Sequence, residues 1–232
     1  MAKALSVSQG QLGPHWNQLT SDFGECLGIG KRQATLAASP VGEELVASFI
    51  GDAVRRANRL RGNPMPVVPF RKFQDNWEAW IGYREVWVAS PRPVFCSSDI
   101  TVFFTVSETE VFQQIIRAEW VGLAKLGSEW LFNPRDAGHP HWQIDAVETI
   151  KLDADLAAAR ALLTEAEPRE FGATETKELR DPPWYGLDRI HFASAMRPWT
   201  DKKIAHGPTE LAGIRSWVKE TCTLLDIEFG RL

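Results

Sequence analysis

His139, His141, Gln143 and Asp145 alternate with Pro140, Trp142, Ile144 and Ala146, so a strand over 139–146 has one chemically capable face and one apolar face. The alternation occurs twice more: Arg117 and Glu119 lie among Ile116, Ala118 and Trp120, and Arg189 and His191 alternate with Ile190 and Phe192. If the three segments are strands of one sheet whose apolar residues meet helices, their polar residues emerge together on the other face. Histidine exchanges protons near neutral pH, a second histidine or a glutamate complements it, and arginine holds a phosphate or stabilises developing negative charge. The set suits metal-independent RNA cleavage. His141 is then the general base and His139 or Glu119 the acid, while Arg117 and Arg189 hold the phosphate and His191 assists.

Two other readings stand beside this one. A half-buried antiparallel sheet ordinarily carries a polar solvent face, on which arginine opposite glutamate is a common cross-strand pair. His139 and His141 with Asp145 or Glu119 also offer metal donors, but an H-x-H spacing alone specifies no ion, and no metal or cofactor is assigned. His15 and His206 are isolated and read as structural or solvent-facing. Other templates fail: there is no G-x-S-x-G, no H-E-x-x-H, no G-x-G-x-x-G after a strand, and no H-x-E with P-C-x-x-C. A phosphate loop ending at Gly30-Lys31 needs glycine at 25 and a hydroxyl at 32, where the chain has Glu25 and Arg32.

The elements that must position these groups follow from periodicity. Trp16, Leu19, Phe23 and Leu27 predict a helix from His15 to about Leu27, stopped by Gly28. Ser39 as cap, Pro40 in the first turn and Leu45, Phe49, Ala53, Ala57 and Leu60 on one face predict a second helix, ended by Gly62-Asn63-Pro64. The prolines at 64, 66 and 69 then form an extended link. Strands are predicted at 78–83, 85–89, 94–96, 100–106, 112–121, 129–132, 139–146 and 189–193. Further helices are predicted over 153–164 and 209–227, with a surface loop or lid at 165–186. The expected architecture is α+β: an antiparallel sheet with helices packed on one face, plus N-terminal and C-terminal helices. Residues 1–66 form a helical region and linker and residues 67–232 the α+β domain, the two making one compact unit.

Between residues 55 and 72 there are six basic side chains, Arg55, Arg56, Arg59, Arg61, Arg71 and Lys72, and no acidic one. Dipole complementarity and a solvated face explain such a run; a nucleic-acid or acidic-partner surface is the alternative. The net charge of -4 excludes a generic polyanion binder without excluding this local patch. The ten tryptophans suit a wide aromatic core, or else Trp77, Trp80, Trp87 and Trp184 form a partner or base-stacking surface. Three scattered cysteines, Cys26, Cys96 and Cys222, fit a reducing cytoplasm, and no segment reads as an export signal or membrane span.

Arg117-Ala118-Glu119-Trp120, His139-Pro140-His141-Trp142 and Arg189-Ile190-His191-Phe192 fall in that order over roughly residues 115–193. The succession resembles the Arg-x-acid, His-Pro-x-x-His-like and late Arg-containing strands of small bacterial proteins that include TumE-like toxins and proteins encoded near mobile-element and phage-defence genes. The resemblance implies a toxin or phage-defence context, with these Arg, Glu and His positions as functional residues. Glu119 replaces the more familiar aspartate, and Gln143 stands where another histidine would extend the match. The N-terminal helices and Trp-rich insertions have no counterpart. An effector acting on or near RNA or DNA is therefore expected. Its rival is a non-catalytic subunit that docks a larger protein, encoded nearby, through its tryptophans and the basic segment.

Overall fold

A computed structural model describes residues 4–59, 63–73, 77–106, 112–122, 124–126, 129–131, 141–144 and 208–230. Among them lie helix α1 (Gln9–Leu27), strands β1 (Thr35–Val41), β2 (Glu44–Ile50), β3 (Arg55–Ala57), β4 (Met65–Lys72), β5 (Trp77–Val88), β6 (Val94–Val106) and β7 (Gln113–Val121), the short strands β8 (Ala124–Leu126), β9 (Glu129–Leu131) and β10 (His141–Ile144), and helix α2 (Leu211–Phe229). The main sheet is antiparallel and curled, in the order β1-β2-β5-β6-β7-β10, with β4 also paired to β5 and β3 to β4. β2 and β4 share one edge of β5: Glu44–Ser48 pair with Arg84–Val88, and Val67–Lys72 with Glu78–Gly82. Irregular register at Val86/Trp87 and Val102/Phe103 interrupts the two longest strands, which is how a long sheet bends. β8 and β9 form a separate pair.

Several sequence expectations change, among them the link expected through the prolines at 64, 66 and 69, most of which is instead the paired strand β4. Helix α1 starts at Gln9 rather than His15, because Ser8 begins it: the Gln11 Oε1 accepts the Ser8 N–H at 2.9 Å. Pro14 therefore lies inside the helix. The helix predicted across 40–61 is replaced by β1, β2 and β3. Its apolar spacing at 45 and 49 also fits a strand through Leu45, Ala47 and Phe49. A two-residue loop with Gly42 at φ 59 reverses the chain between Val41 and its partner Glu44. Finally, β5 and β6 each run through polar residues that had suggested breaks. Arg84 pairs with Asp99, Glu85 with Ser98 and Val86 with Ser97, so the polar stretches continue the strands together.

Two arrays of side chains tie the helices to the sheet. Phe23 of α1 meets Phe49 and Tyr83 edge-on at 5.1 and 5.3 Å. On α2, Trp217 meets Trp120 at 6.1 Å and Phe229 meets Phe104 at 5.6 Å. Between the helices, Arg215 grips Asp22 through Nε and Nη2 at 2.9 and 3.0 Å. The helix predicted over 209–227 is present as α2, which buries Ile214, Trp217, Val218 and Leu225. A smaller apolar cluster of Ala57, Met65, Val67 and Phe103 is flanked by Trp80 and Phe112. Trp87 is buried and Trp77 and Trp80 are partly buried, so none of these three is an open stacking platform; Trp184 lies outside the described residues.

Gly51 holds the exit from β2 at φ 143, and a Cβ there would lie 2.5 Å from the Gln33 carbonyl oxygen. Backbone rather than a movable side chain blocks the space, and the dihedral itself disfavours any L side chain. Gly51→Ala is expected to cost about 2–3 kcal/mol of unfolding free energy in urea titration.

Candidate functional site

The register joins two of the three polar segments singled out in the sequence. β10 lies beside β7, with His141 opposite Glu119, Trp142 opposite Ala118, Gln143 opposite Arg117 and Ile144 opposite Ile116. Directly opposed residues share a face. Trp142 and Ile144 thus continue the rows of buried Ala118 and Ile116, and His141 and Gln143 share the other face with Glu119 and Arg117. Farther across the sheet, Glu119 opposes Asp99, Asp99 opposes Arg84 and Arg84 opposes Ser48, giving one polar row over five strands. Thr101 opposes Arg117 in the adjoining row.

The charges on this face are interleaved. Arg117 approaches Glu119 at 3.8 Å and Arg84 approaches Glu44 at 3.8 Å. Asp99 is only 2% exposed, and Arg59 reaches it from beyond β3 at 3.5 Å. Burial pushes the Asp99 carboxyl above the usual range; Arg59 opposes that shift and Glu119 adds to it. Asp99 is therefore a carboxyl inclined to keep its proton, in the same row as a glutamate and a histidine position. Its place was missed in the sequence because Ser97-Ser98-Asp99 looked like a turn. The usable signal was a short polar run between two apolar runs, which also describes one long strand.

Compared with known protein families, curated proteins and solved structures, the chain matches none.

The six basic residues between 55 and 72 separate in space. Arg55 and Arg56 are exposed on β3, which among the described residues pairs only with β4. Arg59 turns inward to Asp99. Arg71 pairs with Asp226 of α2, and Lys72 with Glu78 at 3.0 Å. Arg61 lies outside the described residues, as do His139, Asp145, Arg189 and His191, the helix predicted at 153–164 and the loop at 165–186. Among the described residues, no group of three or more His, Cys, Asp or Glu side chains is placed to hold a metal ion, and no helix is long and apolar enough to cross a membrane.

A second polar centre was also missed. Glu85 is fully buried and accepts four hydrogen bonds: from Tyr83 Oη at 2.6 Å, Trp87 Nε1 at 2.7 Å, Trp16 Nε1 at 2.8 Å and His15 Nε2 at 3.0 Å. Ser98 Oγ donates to Tyr83 Oη at 3.0 Å behind it. Burial by itself raises a carboxyl, but here the charge and hydrogen bond of His15, with the donors Tyr83 and Trp87, outweigh it and hold Glu85 below the usual range.

Proposed function

We propose that this chain is a bacterial toxin or phage-defence effector that acts in the cytoplasm on RNA, cleaving a phosphodiester without a metal. One observation carries the reading: the antiparallel register that sets His141 opposite Glu119 and Gln143 opposite Arg117, with Asp99 next in the row. In the proposed reaction His141 removes the proton from a ribose 2′-hydroxyl, whose oxygen bonds to phosphorus as the bond from phosphorus to the 5′-oxygen breaks. Glu119, or His139, returns a proton to the departing 5′-oxygen. Arg117 and Arg189 hold the phosphate oxygens, where charge accumulates in the transition state, and His191 assists. Helices α1 and α2 cover the opposite face in this reading and hold the strands in place.

The test uses purified full-length protein and a short RNA, with chelator present. Cleavage is expected for the wild type, and His141→Ala is expected to reduce it to background with an almost unchanged melting temperature. Cleavage retained by a folded His141→Ala protein removes His141 from the mechanism.

Exposed Arg55 and Arg56 on the edge strand β3 favour a second reading, a non-catalytic subunit that docks a protein encoded nearby or nucleic acid. Reversing both charges then weakens pull-down of the neighbouring gene product, while His141→Ala leaves it unchanged.

A further inference from the structure

The seam between α1 and α2 brings together two cysteines that stand near opposite ends of the sequence, Cys26 and Cys222. The helices run in the same direction there. Gln18 and Asp22 meet Arg215, Glu25 meets Lys219 at 2.8 Å, and one step on Cys26 meets Thr223, whose hydroxyl lies 3.6 Å from Cys26 Sγ. The Cys26 thiol also points at the Lys219 carbonyl oxygen, 3.8 Å away. Its sulfur is thus seated on the helical turn from Lys219 to Thr223, which is the turn that carries Cys222.

The direction in which Cys222 faces follows from its neighbours. Successive residues are about 100° apart round a helix, so Cys222 lies about 60° from Lys219, on the side away from exposed Thr223. That is the side on which Val218 and Leu225 are buried, and Cys222 is itself fully buried. Burial pushes the Cys222 thiol well above its usual range, and charge on Cys26 and Asp22 pushes it further, so Cys222 lies beside the stripe of α1 that bears both. Cys26 is only half-buried and packs against the same core. The two thiols share one level of the seam, one within reach of solvent and the other sealed behind it. Cys96 stands apart on β6, buried, with its thiol pushed up to about 12 by that burial.

We propose that Cys26 and Cys222 form a redox modification site, which hydrogen peroxide converts into a disulfide clasp between α1 and α2. The Cys26 thiolate attacks one peroxide oxygen and breaks the O–O bond, giving a sulfenic acid and a hydroxide that leaves as water with the proton Cys26 gave up. The Cys222 sulfur then bonds to Cys26 Sγ as the S–O bond breaks, and the departing hydroxide takes the Cys222 proton. Two thiols are oxidised and one peroxide is reduced to two waters. Exposure assigns the roles: the oxidant reaches Cys26, and Cys222 needs only a neighbouring sulfur. Exchange with a reducing thiol reverses the change. The site is independent of the RNA-cleavage reading and survives its failure.

Reduced full-length protein is treated with hydrogen peroxide under native conditions, alkylated, digested without reductant and analysed by mass spectrometry. A peptide linked through Cys26 and Cys222 is expected, lighter than its reduced parts by the two thiol hydrogens and lost on adding dithiothreitol, while Cys96 stays free to alkylate once the protein is unfolded. The oxidised protein is expected to melt about 5–10 °C above the reduced one, because the link closes a loop of most of the chain. In Cys26→Ser, Cys222 is expected to remain a thiol under the same treatment. In Cys222→Ser, wherever it folds, dimedone is expected to trap Cys26 as the sulfenic acid. Two unchanged thiols, Cys26 carried on to the sulfinic or sulfonic acid beside a free Cys222, or a link between two copies in place of the internal one each overturns the proposal. So does an internal link that fails to raise the melting temperature, or oxidation of Cys222 in Cys26→Ser.

Discussion

Glu85→Ala is expected to lower the unfolding free energy by about 3–5 kcal/mol at neutral pH, measured by urea denaturation. The size follows from what the truncation leaves behind rather than from what it removes. Four donors converge on this carboxylate from α1 and β5, at 2.6 to 3.0 Å, in a place with no access to solvent. The donors are left without their acceptor, most of them out of reach of water. Glu85→Gln is expected to fail nearly as badly. Its carbonyl oxygen can still accept, but its amide nitrogen brings hydrogens into a ring of donors. The pH dependence has a definite sign. Because the folded carboxyl is held below its unfolded value, Glu85 contributes stability above the ordinary carboxylate range, and that contribution is lost as pH falls through the folded value. The difference between wild type and Glu85→Ala should therefore narrow in acid; a difference that widens there contradicts an ionised Glu85.

That same network marks the limit of what could be read from the sequence. Tyr83, Glu85 and Trp87 share a parity on β5, which the sequence displays, but the donors His15 and Trp16 arrive from a helix about seventy residues earlier. No local pattern announces that meeting. His15 looked isolated for this reason. The strand bearing His141 was legible because a period of two leaves few alternatives: Trp142 and Ile144 continue the apolar rows of β7, and His141 and Gln143 continue the polar ones. The segment from Ser39 to Ala57 was misread because its cues suit either structure. Ser39-Pro40 and Glu43-Glu44 resemble a helix start, yet Gly42 at positive φ between paired Val41 and Glu44 turns the same residues into a hairpin. Charge runs were the least informative signal. Arg59, Arg71 and Lys72 are close in sequence to Arg55 and Arg56, but they reach three different carboxylates, Asp99 on β6, Asp226 on α2 and Glu78 on the neighbouring β5.

The aromatic contact near the C-terminal end of α1 gives the second large expected effect. Phe23 is fully buried, and its ring meets Phe49 of β2 and Tyr83 of β5 edge-on, so one side chain spans two neighbouring strands from the helix. Phe23→Ala is expected to cost about 3–5 kcal/mol, because the removed ring leaves a hole that three rigid elements cannot collapse to fill. Phe23→Leu keeps most of the volume and should cost less than half as much. The contact with Phe49 can be isolated by a double-mutant cycle. Edge-on pairing is worth about 0.5–1.5 kcal/mol beyond area burial, so Phe23→Leu and Phe49→Leu together should cost less than the sum of their separate effects by about that amount. Strict additivity would mean that the two rings fill space independently. The helix would then be held to the sheet chiefly by the Glu85 network and by the Tyr83 contact, and Tyr83→Phe, which keeps the ring and removes the hydroxyl, separates those two contributions.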